Sequence, residues 1–123
     1  MQRGVAVVEE YLRSLADHDW EALAATLAPD VERRGPYLDD YHGAVAYSEF
    51  LRATLLALTD YELEVARVWG DGDGHVCAEL SETVTVDGAR LCTDEAVVFD
   101  VDDLDRIVAV QVFLRKSYDP ANG

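Results

Sequence analysis

The feature that most restricts this chain is the stretch from Tyr61 to Tyr118. It holds four strand-like runs, Tyr61–Trp69, Val76–Val86, Arg90–Asp100 and Ile107–Tyr118, parted only by the turn clusters Gly70-Asp71-Gly72-Asp73-Gly74, Asp87-Gly88 and Asp102 to Asp105. Turns this short reverse the chain on itself, whereas a parallel pair needs a crossover of about a dozen residues or more, so successive strands must pair antiparallel. Such a meander has one apolar face to cover, and the residues before Tyr61 are the material available to cover it.

Those residues read as helices. Val5, Val8, Leu12 and Leu15 recur at helical spacing as far as Ala16, with Tyr11 on the same flank and Glu9, Glu10 and Arg13 turned away. Asp17-His18-Asp19 breaks the pattern, and Asp19 is placed to cap a second helix carrying Trp20, Leu23, Ala24 and Leu27 before Pro29 stops it. Val31 to Leu38 is a short extended stretch containing Gly35-Pro36, followed by the polar turn Asp39 to Gly43. Ala44 to Leu58 returns to helical spacing through Phe50, Leu51, Thr54, Leu55 and Leu58. The expectation is one α+β domain over the 123 residues, three helices followed by an antiparallel meander.

The inner face of the meander follows from side-chain alternation. Val76, Ala78, Leu80, Val84 and Val86 share one parity and should meet the helices, which places Glu82 in the middle of an apolar row where an unpaired charge is costly. If Asp87-Gly88 is a two-residue turn, opposed residues sum to 175, so Val84 faces Leu91, Glu82 faces Thr93 and Leu80 faces Glu95. Glu82 and Glu95 are then diagonal neighbours on the inner face, roughly 7–8 Å apart at the backbone, close enough for their side chains to share a proton or a ligand group.

Composition narrows the partners. The 25 acidic residues against nine arginines and one lysine give a formal charge of −15, which repels phosphate backbones and anionic lipids, so neither nucleic acid nor a membrane surface is an expected partner. The N-terminal MQRGVAVVEEYLRSL has no apolar run of signal-peptide type, and no stretch approaches the ~20 apolar residues of a membrane span, so a cytoplasmic protein is expected. Cys77 and Cys92 fall on adjacent strands at positions of opposite parity, which is read as opposite faces and two free thiols.

Three segments carry a family resemblance. EEYLRSLADHDWEALAATLAPDVE resembles the two opening helices of the nuclear transport factor 2-like superfamily, YHGAVAYSEFL its glycine-led third helix, and EAVVFDVDDLDRIVAVQVF its last two strands. Within that superfamily the chain is similar to the SnoaL-like polyketide cyclases and ketosteroid isomerases. The resemblance covers nearly the whole chain and implies a cone-shaped, curved antiparallel sheet with the helices on its concave face. It also implies a small-molecule pocket and a homodimer formed through the outer sheet face, where Gln111, Phe113 and Arg115 would lie.

Carried over residue by residue, the ketosteroid isomerase pattern places Tyr11 where the family has an oxyanion-binding tyrosine and Glu95 where it has a protonated carboxylic acid. Its general-base aspartate would fall near Gly35, which cannot transfer a proton. The limonene epoxide hydrolase pattern calls for Asp-Arg-Asp inside the pocket, and no arginine is obviously placed to supply it.

The resulting expectation is a pocket for a small, mostly apolar molecule. Glu82, Glu95 and Tyr11 are its chemical groups, because two carboxylates on an apolar face push at least one pKa upward and provide an acid and a base near neutrality. Leu80, Val84, Val110, Val112 and Phe50 would line it, Tyr41 and His42 would border its mouth, and Arg33 would reach it from the short strand to neutralise a ligand oxygen. No cofactor is expected. No metal is expected either, because His18, His42 and His75 do not fall at ligand spacing and Asp71-Gly72-Asp73-Gly74 lacks the distal glutamate of a calcium loop. Two readings follow. One is a cofactor-independent isomerase, cyclase or dehydratase acting by proton transfer on a small carbonyl or polyketide-like compound; the other is a non-catalytic binding or dimeric module of the same fold.

Overall fold

The computed structural model describes residues 4–37 and 39–121. Helix α1 (Val5–Asp17) turns its Val8, Tyr11, Leu12 and Leu15 row into the core, as its apolar spacing requires. His18 closes it in the left-handed conformation, with a φ of 56°. Asp19 then caps α2 (Trp20–Ala25) by accepting the Ala22 N–H at 3.1 Å.

Helix α2 is shorter than its apolar spacing suggests. Thr26 ends it, its hydroxyl donating to the Leu23 carbonyl at 2.7 Å while its own carbonyl receives the Ile107 N–H, and Leu27 already belongs to β1 (Leu27–Arg34). Pro29 therefore sits inside a strand rather than stopping a helix. The pairing of β1 is irregular between Leu27 and Glu32, so the missing N–H of proline breaks no regular ladder there. The expected strand end at Leu38 lies outside the described residues; β1 stops at Arg34. Two residues, Tyr41–His42, form β2, and α3 runs over Ala44–Leu56 with Tyr47, Leu51 and Leu55 buried in one row.

The rest is the meander: β3 (Thr59–Gly70), β4 (His75–Val86), β5 (Ala89–Val101) and β6 (Ile107–Leu114). Its last strand ends before Tyr118, which instead makes a single bridge to Cys92. The six strands form one sheet in the order β2-β1-β6-β5-β4-β3, and every adjacent pair is antiparallel except β1 with β6, which runs parallel. Returning from β1 to β6 takes the chain through α3 and the meander, a long enough crossover for a parallel pair.

The core lies between the three helices and one sheet face, where Val76, Ala78, Leu80, Val97, Phe99, Ile107 and Val110 meet the helix rows. Both cysteines are free. The reason differs from the parity argument, because opposed residues on β4 and β5 sum to an odd number and so differ in parity. Cys77 pairs with Val98 and Cys92 with Thr83, which puts both thiols on the outer face, six strand positions apart, roughly 20 Å at ~3.3 Å per residue.

Candidate functional site

The β4–β5 hairpin has the register that its two-residue turn dictates: Val84 opposes Leu91, Glu82 opposes Thr93 and Leu80 opposes Glu95. Glu82 and Glu95 therefore lie diagonally on the inner face and are hydrogen-bonded to each other. Burial first, then the hydrogen bond and charge of Glu82, push the Glu95 carboxyl up to about 10, so at neutral pH it is a neutral acid that can donate.

Above the pair stand three tyrosines. Tyr11 from α1 and Tyr47 from α3 are fully buried and share a hydrogen bond between their hydroxyls. Burial raises both phenols; it carries Tyr47 to about 12 even though its bond to Tyr11 and the nearby Arg33 act to lower it. Tyr61, on β3, donates its phenolic hydrogen to Glu82 Oε2, and burial followed by the charge of Glu82 keeps that phenol protonated.

Arg33 also enters from β1. Its side chain is only 9% exposed and lies under the rings of Tyr47 and Phe50, its Cζ 4.7 Å from the centre of the Phe50 ring. Nη1 donates to the Asp39 carboxylate and to the Asp39 carbonyl, both at 2.9 Å, while Nε has no partner among the described residues. Burial works against the guanidinium charge, but Asp39 and the two phenols preserve it. A buried arginine is thus present in the pocket after all. Gly35 makes room for it: a Cβ at position 35 would fall 2.1 Å from Asp39 Oδ1, so the Asp39 carboxylate fills the space that a side chain at 35 would take.

These groups surround an inner cavity of about 60 Å³, walled by Leu80, Val110 and Val112 and also by Leu63, Val97 and Phe99. With ~10–15 Å³ needed per water, it accommodates a few waters or a very small molecule, far below the ~300–1,000 Å³ of drug-sized pockets. The bulk of Tyr11, Tyr47 and Arg33 is what fills it.

Several expected residues lie outside this cavity. Val84 shares the inner face but sits half-buried nearer the hairpin end. Phe50 and Tyr41 stack on each other at 4.3 Å, and Tyr41 and His42 border a separate depression of about 280 Å³ that shares only Arg33 with the inner cavity. The His42 side chain is mostly exposed, beside Glu32. A wider depression of about 460 Å³ on the outer sheet face is lined by Ala66, Ala96 and Phe113 together with Glu79 and with Asp94, which accepts from Ser81 and pairs with Arg115. No group of histidine, cysteine and carboxylate side chains among the described residues forms a metal cage.

Two members of the site were missed in the sequence although signals for them exist. Tyr47 stands four residues before Leu51 and eight before Leu55 in the buried row of α3. Tyr61 stands two before the inward Leu63, on the same strand face.

Comparison with known proteins accords with this architecture. Residues 8–110 match the family model described as a SnoaL-like domain. A candidate ketosteroid isomerase from Kribbella flavida is 28% identical, with a TM-score of 0.72 over 95% of this chain and 81% of that one. An LEH-like epoxide hydrolase of M. tuberculosis (22% identity, TM-score 0.77, covering 91% and 82%) and SalBIII, an epoxide hydrolase/cyclase-like enzyme of pyran ring formation in the polyether salinomycin (19%, 0.77, 89% and 88%), share the fold. No curated protein matches the sequence. With the family model spanning most of its length, the chain belongs to the SnoaL-like family, within the nuclear transport factor 2-like superfamily.

Proposed function

We propose that the chain is a cofactor-independent enzyme that isomerises, cyclises or dehydrates a small carbonyl or polyketide-like compound by proton transfer. The observation that carries this reading is the hydrogen-bonded Glu82–Glu95 pair on the wall of a small, largely apolar cavity. Two carboxyls so placed supply opposite functions, one proton-free and one proton-bearing.

In an isomerisation, the Glu82 carboxylate takes a proton from the carbon next to the carbonyl. The electrons of that C–H bond form the C=C of an enolate, and the charge moves to the carbonyl oxygen. The Tyr11–Tyr47 pair uses one of its two hydroxyl hydrogens internally and keeps the other to donate to that oxygen, with the Arg33 cation behind it. In a β,γ-unsaturated ketone that enolate is a dienolate: its oxyanion electrons re-form the C=O, the enolate C=C electrons shift to the α,β position, the former β,γ C=C electrons take the proton of Glu95 at the γ-carbon, and the proton on Glu82 passes to Glu95 across their hydrogen bond. The pair ends as it began, so no cofactor or net proton is consumed.

The test is turnover of a panel of small ketones and polyketide fragments by the native protein and by the Glu82→Gln/Glu95→Gln double variant. The reading expects turnover that falls by at least ~10³-fold in the double variant while the folded state is kept. Equal turnover in both proteins refutes it.

A second reading, a non-catalytic binding or dimeric module, is favoured by the outer sheet face. There Phe113 is 50% exposed and Trp69 49%. Light scattering showing a dimer that Phe113→Glu dissociates, together with no turnover of the panel, supports that reading over catalysis.

A further inference from the structure

We infer that Tyr61 is the positioning residue that divides the roles within the carboxylate pair: its phenol, delivered by a β-bulge at Asp60, holds Glu82 proton-free and so leaves the shared proton on Glu95. The inference builds on the acid–base reading of the site but concerns a property measurable without turnover.

The bulge comes first. Thr59 pairs with Thr85 but Glu62 with Thr83, so β3 carries one residue more than β4 over this interval. Asp60 takes the strain, with a φ of 51°, a left-handed conformation that aspartate tolerates better than most residues. It is clamped from β5 and β4: its carbonyl accepts from Arg90 Nη1 at 2.7 Å, and its Oδ2 accepts from Thr85 Oγ1 at 3.1 Å. From Glu62 to Val65 the register is regular, Leu63 opposes Glu82, and Tyr61 shares the inner face with Leu63. The phenol therefore arrives over Glu82 and not over Glu95.

The proton count follows from donor chemistry. A phenol has one hydrogen to give, and Tyr61 gives it to Glu82. Among the described residues the side-chain hydrogen bond of Glu95 is the one it shares with Glu82. One proton shared by the pair thus leaves Glu82 accepting from two donors when it sits on Glu95, and leaves the anion one donor poorer when it sits on Glu82. The anion settles where the donors are.

The remaining groups that feel Glu82 are Tyr11 from α1 and Tyr47 from α3, both neutral phenols. Arg33, from β1, acts on Glu95 and favours the opposite order, but its charge is already met by Asp39 at 2.9 Å. A direct hydrogen bond to the carboxylate outweighs a cation whose charge is already paired.

The experiment is a ¹³C titration of the glutamate side-chain carboxyls in the native protein, with Glu82→Gln and Glu95→Gln to assign the two signals and Tyr61→Phe to remove the hydroxyl. Phenylalanine keeps the ring packed beside His18, 6.1 Å away. At pH 7 the expected spectrum has the protonated carboxyl signal on Glu95, and Tyr61→Phe moves the distribution of that proton between the two carboxyls about tenfold toward Glu82. Should Tyr61→Phe fail to fold, 3,5-difluorotyrosine at position 61 decides: as a stronger donor it moves the distribution further toward Glu95. A proton on Glu82 in the native protein, or a distribution that neither substitution moves, overturns the inference. Turnover is a separate readout, so a protein with the expected titration and no activity refutes the enzyme reading and leaves this one standing.

Discussion

Replacing Gly35 by alanine should uncouple Arg33 from Asp39. The new Cβ would lie 2.1 Å from Asp39 Oδ1, 2.4 Å from Asp39 Cγ and 2.6 Å from Arg33 Nη1, all far inside van der Waals contact, so the Asp39 carboxylate has to leave. That strands a guanidinium whose side chain is 9% exposed and whose Nε already lacks a partner. Removing one member of a fully buried ion pair costs ~3–5 kcal/mol. Asp39 is 26% exposed and keeps some hydration, so a cost of about 2–3 kcal/mol is the better figure here. Alanine also restricts the unfolded chain, which returns ~0.4–1 kcal/mol. The net loss is about 1–2.6 kcal/mol, or roughly 4–10 °C in Tm for a domain of this size. Urea unfolding of the four proteins of a cycle, native, Gly35→Ala, Asp39→Ala and the double variant, measures it. With Asp39 already truncated, alanine at 35 meets only the end of the Arg33 side chain, no longer held by Asp39 and able to shift, and should cost much less than in the native protein. Additive losses across the cycle would refute the claim that Gly35 exists to admit Asp39.

Glu95→Gln should change the pH dependence of stability in a definite direction. The Glu95 carboxyl is held above its ordinary value, so the folded state binds its proton more tightly than the unfolded state does; that contribution is complete below about pH 4.3 and is lost as pH rises toward about 10. Glutamine cannot ionise, so the variant should gain steadily on the native protein between those limits, and parallel stability curves over that range would contradict the assignment. Asp39 has the opposite sign. Burial pushes its carboxyl up, but the bonds from Arg33 and the Tyr37 N–H prevail and hold it below the usual aspartate value. Its stabilising contribution is therefore present at neutral pH and disappears only as acid reaches it below about pH 4, and Asp39→Asn should flatten that acid limb. Asp19→Ala removes the side chain that accepts the Ala22 N–H and should cost about 1 kcal/mol in thermal unfolding, with α2 the element affected.

The course of the chain was legible in the sequence because it rests on local rules. A two-residue turn at Asp87-Gly88 admits one register, and that register with strand alternation puts Glu82 and Glu95 on one face before any tertiary contact is known. The rows of α1 and the cap at Asp19 are read from neighbours three and four residues apart. The extent of α2 was not legible in the same way, because Leu27 fits a helix or a strand, and the docking of Thr26 onto Ile107 decides between them across the whole length of the chain.

What only the tertiary structure decided is which distant groups complete the site. Arg33 was expected in the pocket from the short strand; that Tyr47 and Tyr61, from α3 and β3, meet it at the carboxylate pair depends on the parallel β1–β6 pairing and on the bulge at Asp60. The size of the cavity is likewise a sum over all of them. Residue spacing determines which way a side chain points; only packing determines how much room is left where side chains from different elements meet.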